Sequence, residues 1–202
     1  FALPYLLSYF LQQLYGMADL YMIGMFGGVD GTTAVTNGSQ VMYMLTVIIV
    51  GLAMGATVMI GKAVGGGKLR DAAAAIGNTV TLFMGLSVVI TAVLLCVARP
   101  VVLLIGTPAE AVEGTVSYLI ICFIGIPFIV AYNIISSIFR GMGDSRSPMF
   151  FIGVACAVNV ILDYVFMGRM QMGPAGAALG TTLAQTVSVV VALFYMKGRK
   201  TA

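Results

Sequence analysis

The sequence predicts an all-α integral membrane protein built as a bundle of six transmembrane helices. Three observations carry that expectation. Hydrophobic residues make up 60% of the 202 positions and charged residues only 8%, against roughly 25% charged in an average soluble domain. Mean hydropathy is +1.07. Six apolar runs lie at about 2–26, 37–61, 74–98, 115–139, 147–168 and 175–196. At 1.5 Å rise per residue each is long enough to cross a hydrocarbon layer about 30 Å thick. With so few charges the chain cannot cover a water-facing surface, so lipid is its natural solvent. The runs are too long, and too poor in period-2 alternation, to be strands of a transmembrane barrel.

The breaks between the runs are rich in Gly, Pro and charge. Span one opens the chain and contains Pro4, which is expected to kink or weaken it. The chain opens at Phe1 inside this apolar run, so the run is expected to be a span rather than a signal peptide, and the sequence a fragment of a longer one. The first break is Gly27-Gly28-Val29-Asp30-Gly31. Span two carries Gly51 and Gly55, small residues that let membrane helices approach closely. The second break, Gly65-Gly66-Gly67-Lys68-Leu69-Arg70-Asp71, follows it and opens on a glycine triplet. That triplet has neither GK[ST] nor a preceding strand, so it is not a phosphate loop. The third break, about 99–114, holds Pro100, Pro108, Glu110 and Glu113 and has room for a short surface helix. Span four contains Pro127, a second expected kink. Gly141 to Pro148 and Arg169 to Pro174 form the last two breaks, and Ala175-Gly176-Ala177-Ala178 is another close-packing stretch.

Topology follows from the basic residues. If the amino end is cytoplasmic, then Lys62, Lys68, Arg70, Arg140, Arg146, Lys197, Arg199 and Lys200 all face the cytoplasm, which is 8 of the 10 Lys and Arg. Both ends are therefore placed in the cytoplasm.

Several chemistries are excluded. The chain has no His, and no Ser/His/Asp or Cys/His set, so hydrolytic catalysis has no parts to use and the protein is not expected to be an enzyme. Cys96, Cys122 and Cys156 lie in three different apolar runs without metal-ligand spacing, and read as small buried hydrophobes. The 14 Met read mainly as packing or lipid-facing residues. The net charge of +3 points to no nucleic acid.

The informative residues are the polar ones inside the spans. Of seven acidic side chains, Asp19 and Asp163 alone fall within the apolar runs. A charge at membrane depth costs several kcal/mol and usually faces the bundle interior to serve an ion or substrate. Both spans one and five run outward, which sets Asp19 about seven residues, roughly 10 Å, from the outer end of its helix and Asp163 at a similar depth. Asp19 to Gly24 and Asp163 to Gly168 both read Asp-x4-Gly, a hint of internal duplication. Tyr15 and Asn159 each sit four residues before one of these aspartates, on the same helix face. Thr181 and Gln185, again four apart, and Tyr118 fall at comparable depth on spans six and four. Spans one, four, five and six are thus expected to converge oxygen ligands on one cavity, suited to Na⁺ or a proton relay. Gln40 and Asn133 are further intramembrane amides read as cavity-lining. Asn37 is another intramembrane amide, open to the same reading or to helix–helix hydrogen bonding, and Gln12 and Gln13 are given no role.

These stretches carry a resemblance. Leu3-Pro4 followed by Leu14-Tyr15-Gly16-Met17-Ala18-Asp19-Leu20-Tyr21-Met22-Ile23-Gly24 resembles the first helix of the multidrug and toxic compound extrusion (MATE) family. Phe139-Arg140-Gly141-Met142-Gly143-Asp144-Ser145-Arg146-Ser147-Pro148 resembles the loop after its fourth helix. Asn159 to Phe166 and Gly173 to Thr181 resemble its fifth and sixth. The resemblance covers the whole chain, as an amino-terminal lobe, and having both aspartates is most similar to the DinF-like branch. It implies a twelve-helix transporter of two lobes whose carboxyl-terminal lobe is absent from this sequence. It also implies antiport of organic cations or amphipathic compounds against Na⁺ or H⁺ in a bacterial or archaeal cell membrane. The partners implied are the bilayer, a drug-like substrate and a second lobe or half-size subunit; no cofactor beyond the coupling ion is implied. The cation site it implies is Asp19, Asn159, Asp163 and Thr181, with Tyr15 and Tyr118 nearby. Two other readings compete. A lipid-linked oligosaccharide or lipid flippase of the same superfamily would need several basic residues at mid-membrane depth, where this sequence has none. A non-transporting structural subunit would tolerate loss of both aspartates.

Overall fold

A computed structural model describes residues 2–199. Lys200, counted above in the basic carboxyl end, lies outside the described residues. Among them are seven α-helices, one π-helical segment and no strand. The helices are α1 (Ala2–Phe26), α2 (Gly28–Gly65), α3 (Leu69–Leu104), α4 (Ala109–Ile124), α5 (Ile126–Gly141), α6 (Arg146–Asp163) and α7 (Pro174–Arg199), with the π-segment Tyr164–Arg169 continuing α6. By length and composition α2, α3, α6 with its π-segment, and α7 can each cross a membrane, and α4 with α5 can do so as one bent span. Helix α1 has the length, 25 residues, but Gln12, Gln13 and Asp19 make it less apolar. A helix with polar groups at membrane depth needs protein neighbours, and α1 packs on α2, α6 and α7.

The breaks are shorter than the sequence pattern suggests. Gly27 alone separates α1 from α2, its N–H donating to Ile23 O at 2.7 Å, and Val29 to Gly31 are already helical. Helix α2 therefore has 38 residues, about 57 Å of helix, so its ends extend beyond the hydrocarbon. Helix α3 runs straight through Pro100 to Leu104. Membrane helices tolerate such a proline because neighbouring groups can take over the freed backbone. The apolar run resumes after it at Val101 to Leu104, which the Arg-Pro punctuation hides. The third break shrinks to 105–108, and Glu110 and Glu113 lie on the first turns of α4 rather than on a separate surface helix. Gly67 and Gly143, at φ 69° and 90°, close the turns after α2 and α5 in the left-handed region that favours glycine.

Span four is broken. At Gly125 the chain bends by 49° between α4 and α5. Pro127 has no N–H to offer the carbonyl of Phe123 four residues earlier. That carbonyl is instead taken by Thr91 of α3, whose hydroxyl donates to it at 3.2 Å. Gly125 also admits α7 closely, since a Cβ there would lie 2.6 Å from Thr182 Cγ2. Pro4 lies in the first described turn of α1.

Two apolar clusters hold the bundle. One joins α2, α3, α4 and α5 through Val35, Ile60, Val102, Leu119, Phe123 and Ile126. The other joins α5, α6 and α7 through Phe139, Phe151, Ile152 and Ala192. Phe139, Phe151 and Tyr195 stack within it at ring-centroid separations of 5.6–6.1 Å, edge-on or tilted as aromatic quadrupoles prefer.

Candidate functional site

The site lies where α1, α6 and α7 meet, with α4 beside them. Helix α1 brings Asp19, 4% exposed; α6 brings Asn159 and Asp163, 1% and 0% exposed. The two carboxyl groups lie close to one another where α1 meets α6. Asn159 lies one turn before Asp163, its amide nitrogen donating to Asp163 Oδ1 at 3.5 Å, and it also reaches Asp19. Thr181 of α7 donates to Asp19 Oδ2 at 3.0 Å. Asp19 Oδ1, Asp163 Oδ2 and Asn159 Oδ1 are buried without a hydrogen-bond partner among the described residues.

Two further residues extend this cluster. The hydroxyl of Tyr15, one turn before Asp19, sits against the Gln185 side chain, and Gln185 Oε1 is another buried oxygen without a partner. Tyr118 of α4 is 3% exposed and lies beyond Tyr15, its hydroxyl 3.1 Å from Ser39 Oγ of α2.

Gln40 and Asn133 stand apart. Gln40 is exposed on α2. Asn133 is buried on α5 and its amide nitrogen donates to its own helix at Ile129 O, 2.8 Å away. It lines a separate crevice of about 200 Å³ with Thr57, Ser137 and Arg140. Asn37 donates to Thr107 Oγ1 at 3.3 Å, tying α2 to the 105–108 turn. Ser39, the partner of Tyr118, was not legible as a site residue, because a serine in an apolar helix ordinarily bonds its own backbone. The π-segment was not legible either. It begins one residue after Asp163, with Met170 N–H bonding Val165 O five residues back at 2.9 Å. Such insertions recur at functional sites because they re-aim the adjoining turn.

The electrostatics follow from this geometry. Among the described residues neither Asp19 nor Asp163 forms an ion pair. Two adjacent carboxylates in a low-dielectric interior cannot both stay charged without a positive partner. No group of three or more His, Cys, Asp or Glu comes together among the described residues. The oxygens of Asp19, Asp163, Asn159 and Thr181 thus offer at most two negative charges with neutral hard donors, a set for a proton or a hard monovalent cation rather than a transition metal.

The MatE family model matches residues 4–165. The chain belongs to the MatE family. Members of this family are transporters, not enzymes. The MatE chain is 31% identical to the probable multidrug resistance protein YpnP of Bacillus subtilis, over 97% of its own length and 44% of that protein. It is 28% identical to the probable multidrug resistance protein NorM of Thermotoga maritima, over 98% and 44% of the two chains. Among solved structures, it matches the outward-facing conformation of a multidrug resistance MATE family transporter of the MOP superfamily. There the TM-score is 0.90 at 25% identity, with 96% of this chain and 43% of that one covered. The chain therefore spans somewhat under half the length of the relatives it matches.

Proposed function

We propose that this chain is the amino-terminal lobe of a MATE multidrug exporter, and that the lobe houses its coupling-cation site. Asp19 and Asp163 supply the negative charge, and Asn159 and Thr181 supply neutral oxygens and orientation. Tyr15, Gln185 and Tyr118 continue the polar lining away from the pair. A second lobe of similar size, matching the remaining length of the relatives, completes the cavity for an organic cation or amphipathic drug. Both ends of this lobe face the cytoplasm of a bacterial or archaeal cell, as its basic residues favour. The presence of both aspartates supports a place in the DinF-like branch.

The single observation that carries this reading is the pair of abutting, buried carboxyl groups with unpartnered oxygens on three helices. Buried polar atoms without partners call for an explanation, and a bound Na⁺ or H⁺ is the one that also neutralises the pair. Because the ligands come from α1, α6 and α7, a cation seated there favours the arrangement that holds those helices together. Drug and cation then shift one equilibrium between access states, each by its differential affinity for the two. The likeness to probable multidrug resistance proteins favours drug efflux over lipid flipping.

The test is efflux by the complete transporter carrying Asp163→Asn, with Na⁺ and pH varied separately. Cation-dependent efflux should vanish while expression stays at the unmodified level. Undiminished efflux would sink the mechanism, and whichever gradient drives the unmodified protein identifies the coupling ion.

A further inference from the structure

Gly180 of α7 is pressed against the site. A Cβ built on it would overlap Asp163 Oδ1 and stand 3.4 Å from Asp163 Cγ and 3.6 Å from Asp163 N. The carboxyl group of Asp163 therefore fills the space that a side chain at position 180 would occupy. This differs from the other close glycines: at Gly38 the same space is taken by the Tyr118 ring and at Gly125 by Thr182, while Gly16, Gly24, Gly51 and Gly55 have nothing within 4 Å. The next residue along α7 is Thr181, which holds Asp19 Oδ2 at 3.0 Å. Two consecutive residues of one helix thus seat the two carboxyl groups of two other helices, one by leaving room and the other by donating a hydrogen bond.

We propose that Gly180 is a positioning residue for cation coupling: its missing side chain lets Asp163 lie against α7, and so sets the spacing of the Asp19–Asp163 pair. The inference rests on the reading of that pair as the coupling site. Asp163 is fully buried and its Oδ1 is already engaged by Asn159, so the carboxyl group cannot yield to a methyl at 180 without leaving either Asn159 or its alignment with Asp19. A site of this kind works only when its ligands are held within about 0.5 Å of the productive geometry.

A purely structural role, close packing of α6 on α7, makes a different forecast, and the experiment separates them. In the complete transporter, purified in detergent, Tm is followed against Na⁺ at fixed pH and against pH at fixed Na⁺. The variants are Gly180→Ala, Asp163→Ala and the double variant. We expect Gly180→Ala to move the half-effective cation concentration, Na⁺ or H⁺, by about tenfold, with the drug KM little changed. We also expect its cost in cation-free Tm to disappear in the Asp163→Ala background, where the colliding carboxyl group is gone. A half-effective concentration within twofold of the unmodified value overturns the proposal, and so does a Tm cost that persists unchanged in the double variant. If Gly180→Ala alone does not accumulate, recovery of folded double variant supports the proposal and equal loss of both overturns it. An unmodified protein whose Tm responds to neither Na⁺ nor pH removes the coupling-site reading and this inference with it. A clear response that Gly180→Ala leaves untouched removes the inference alone.

Discussion

The α2–α3 side of this lobe and its α1–α6–α7 side both contain polar side chains inside apolar helices and both make some bonds across helices, but of the two only the second gathers buried side-chain oxygens without a partner among the described residues. On α2 and α3, Thr32, Thr33, Thr36, Thr46, Thr79 and Thr81 each donate to a carbonyl four residues back on their own helix. Such a hydroxyl is satisfied locally and positions nothing outside its own helix. On the other side Thr181 donates across to Asp19, 162 residues away in sequence, and Asp19, Asp163, Asn159 and Gln185 keep buried oxygens without partners. The same residue type bonds its own backbone on α2 and α3 and, at Thr181, a carboxyl group of another helix. Polarity in a membrane helix is thus a poor guide to function until its partner is known; unsatisfied oxygens converging from several helices are a better one.

The strongest way to break this comparison is to remove one polar group from each side. Asp19→Asn in the complete transporter should abolish cation-dependent efflux. Ser87→Ala on α3, whose hydroxyl bonds Met84 O on its own helix at 2.7 Å, should leave efflux within about twofold, since one such bond carries only about 0.6 kcal/mol. Equal losses in both would erase the distinction between the two sides.

A smaller effect sharpens it. Thr181→Ala deletes a cross-helix donor to Asp19 and should raise the half-effective cation concentration by about three- to tenfold, the equivalent of about 0.6–1.4 kcal/mol. Thr91→Val also deletes a cross-helix donor, to the Phe123 carbonyl freed by Pro127. It should lower stability by a similar margin, about 1 kcal/mol, yet leave the cation response unmoved. Thermal unfolding with and without Na⁺ distinguishes the two; a changed cation response in Thr91→Val would contradict the division.

The smallest effect belongs to the ion pair at one end of the bundle. Arg99 meets Glu113 at 2.9 Å with both side chains more than 60% exposed. Arg99→Ala should shift stability by no more than about 0.5 kcal/mol, because solvent screens exposed pairs. A larger loss in a denaturation experiment would mean that α3 and α4 depend on this contact rather than on their apolar packing.

Much of the site was legible before the fold. The depth argument set Asp19 and Asp163 at one level, and the four-residue spacing put Tyr15 and Asn159 on their faces; the structure places all four, with Thr181 and Gln185, in one cluster. Gln40 and Asn133 had the same credentials, being amides inside apolar runs, yet Gln40 is exposed on α2 and Asn133 lines a separate crevice of about 200 Å³. Nothing local separates these cases, because which face of a helix meets a neighbour depends on that neighbour. The closeness of Gly180 to Asp163 was hidden for the same reason: a glycine among small residues reads as general packing until the opposing atom is seen.

What the sequence determined by itself was the solvent and the helical class. Those follow from charge density and the length of apolar runs, quantities that add up along the chain without regard to contacts. The tertiary structure alone decided which punctuation became a turn, a bend or nothing at all. Pro100 continues a helix, whereas Pro127 beside Gly125 bends one by 49°, with a threonine from α3 taking the freed carbonyl. It alone also brought two carboxyl groups, distant in sequence, into contact against a glycine. The physical reason is that backbone satisfaction and charge compensation are settled between helices, and helices packed by close approach communicate over distances that no local pattern records.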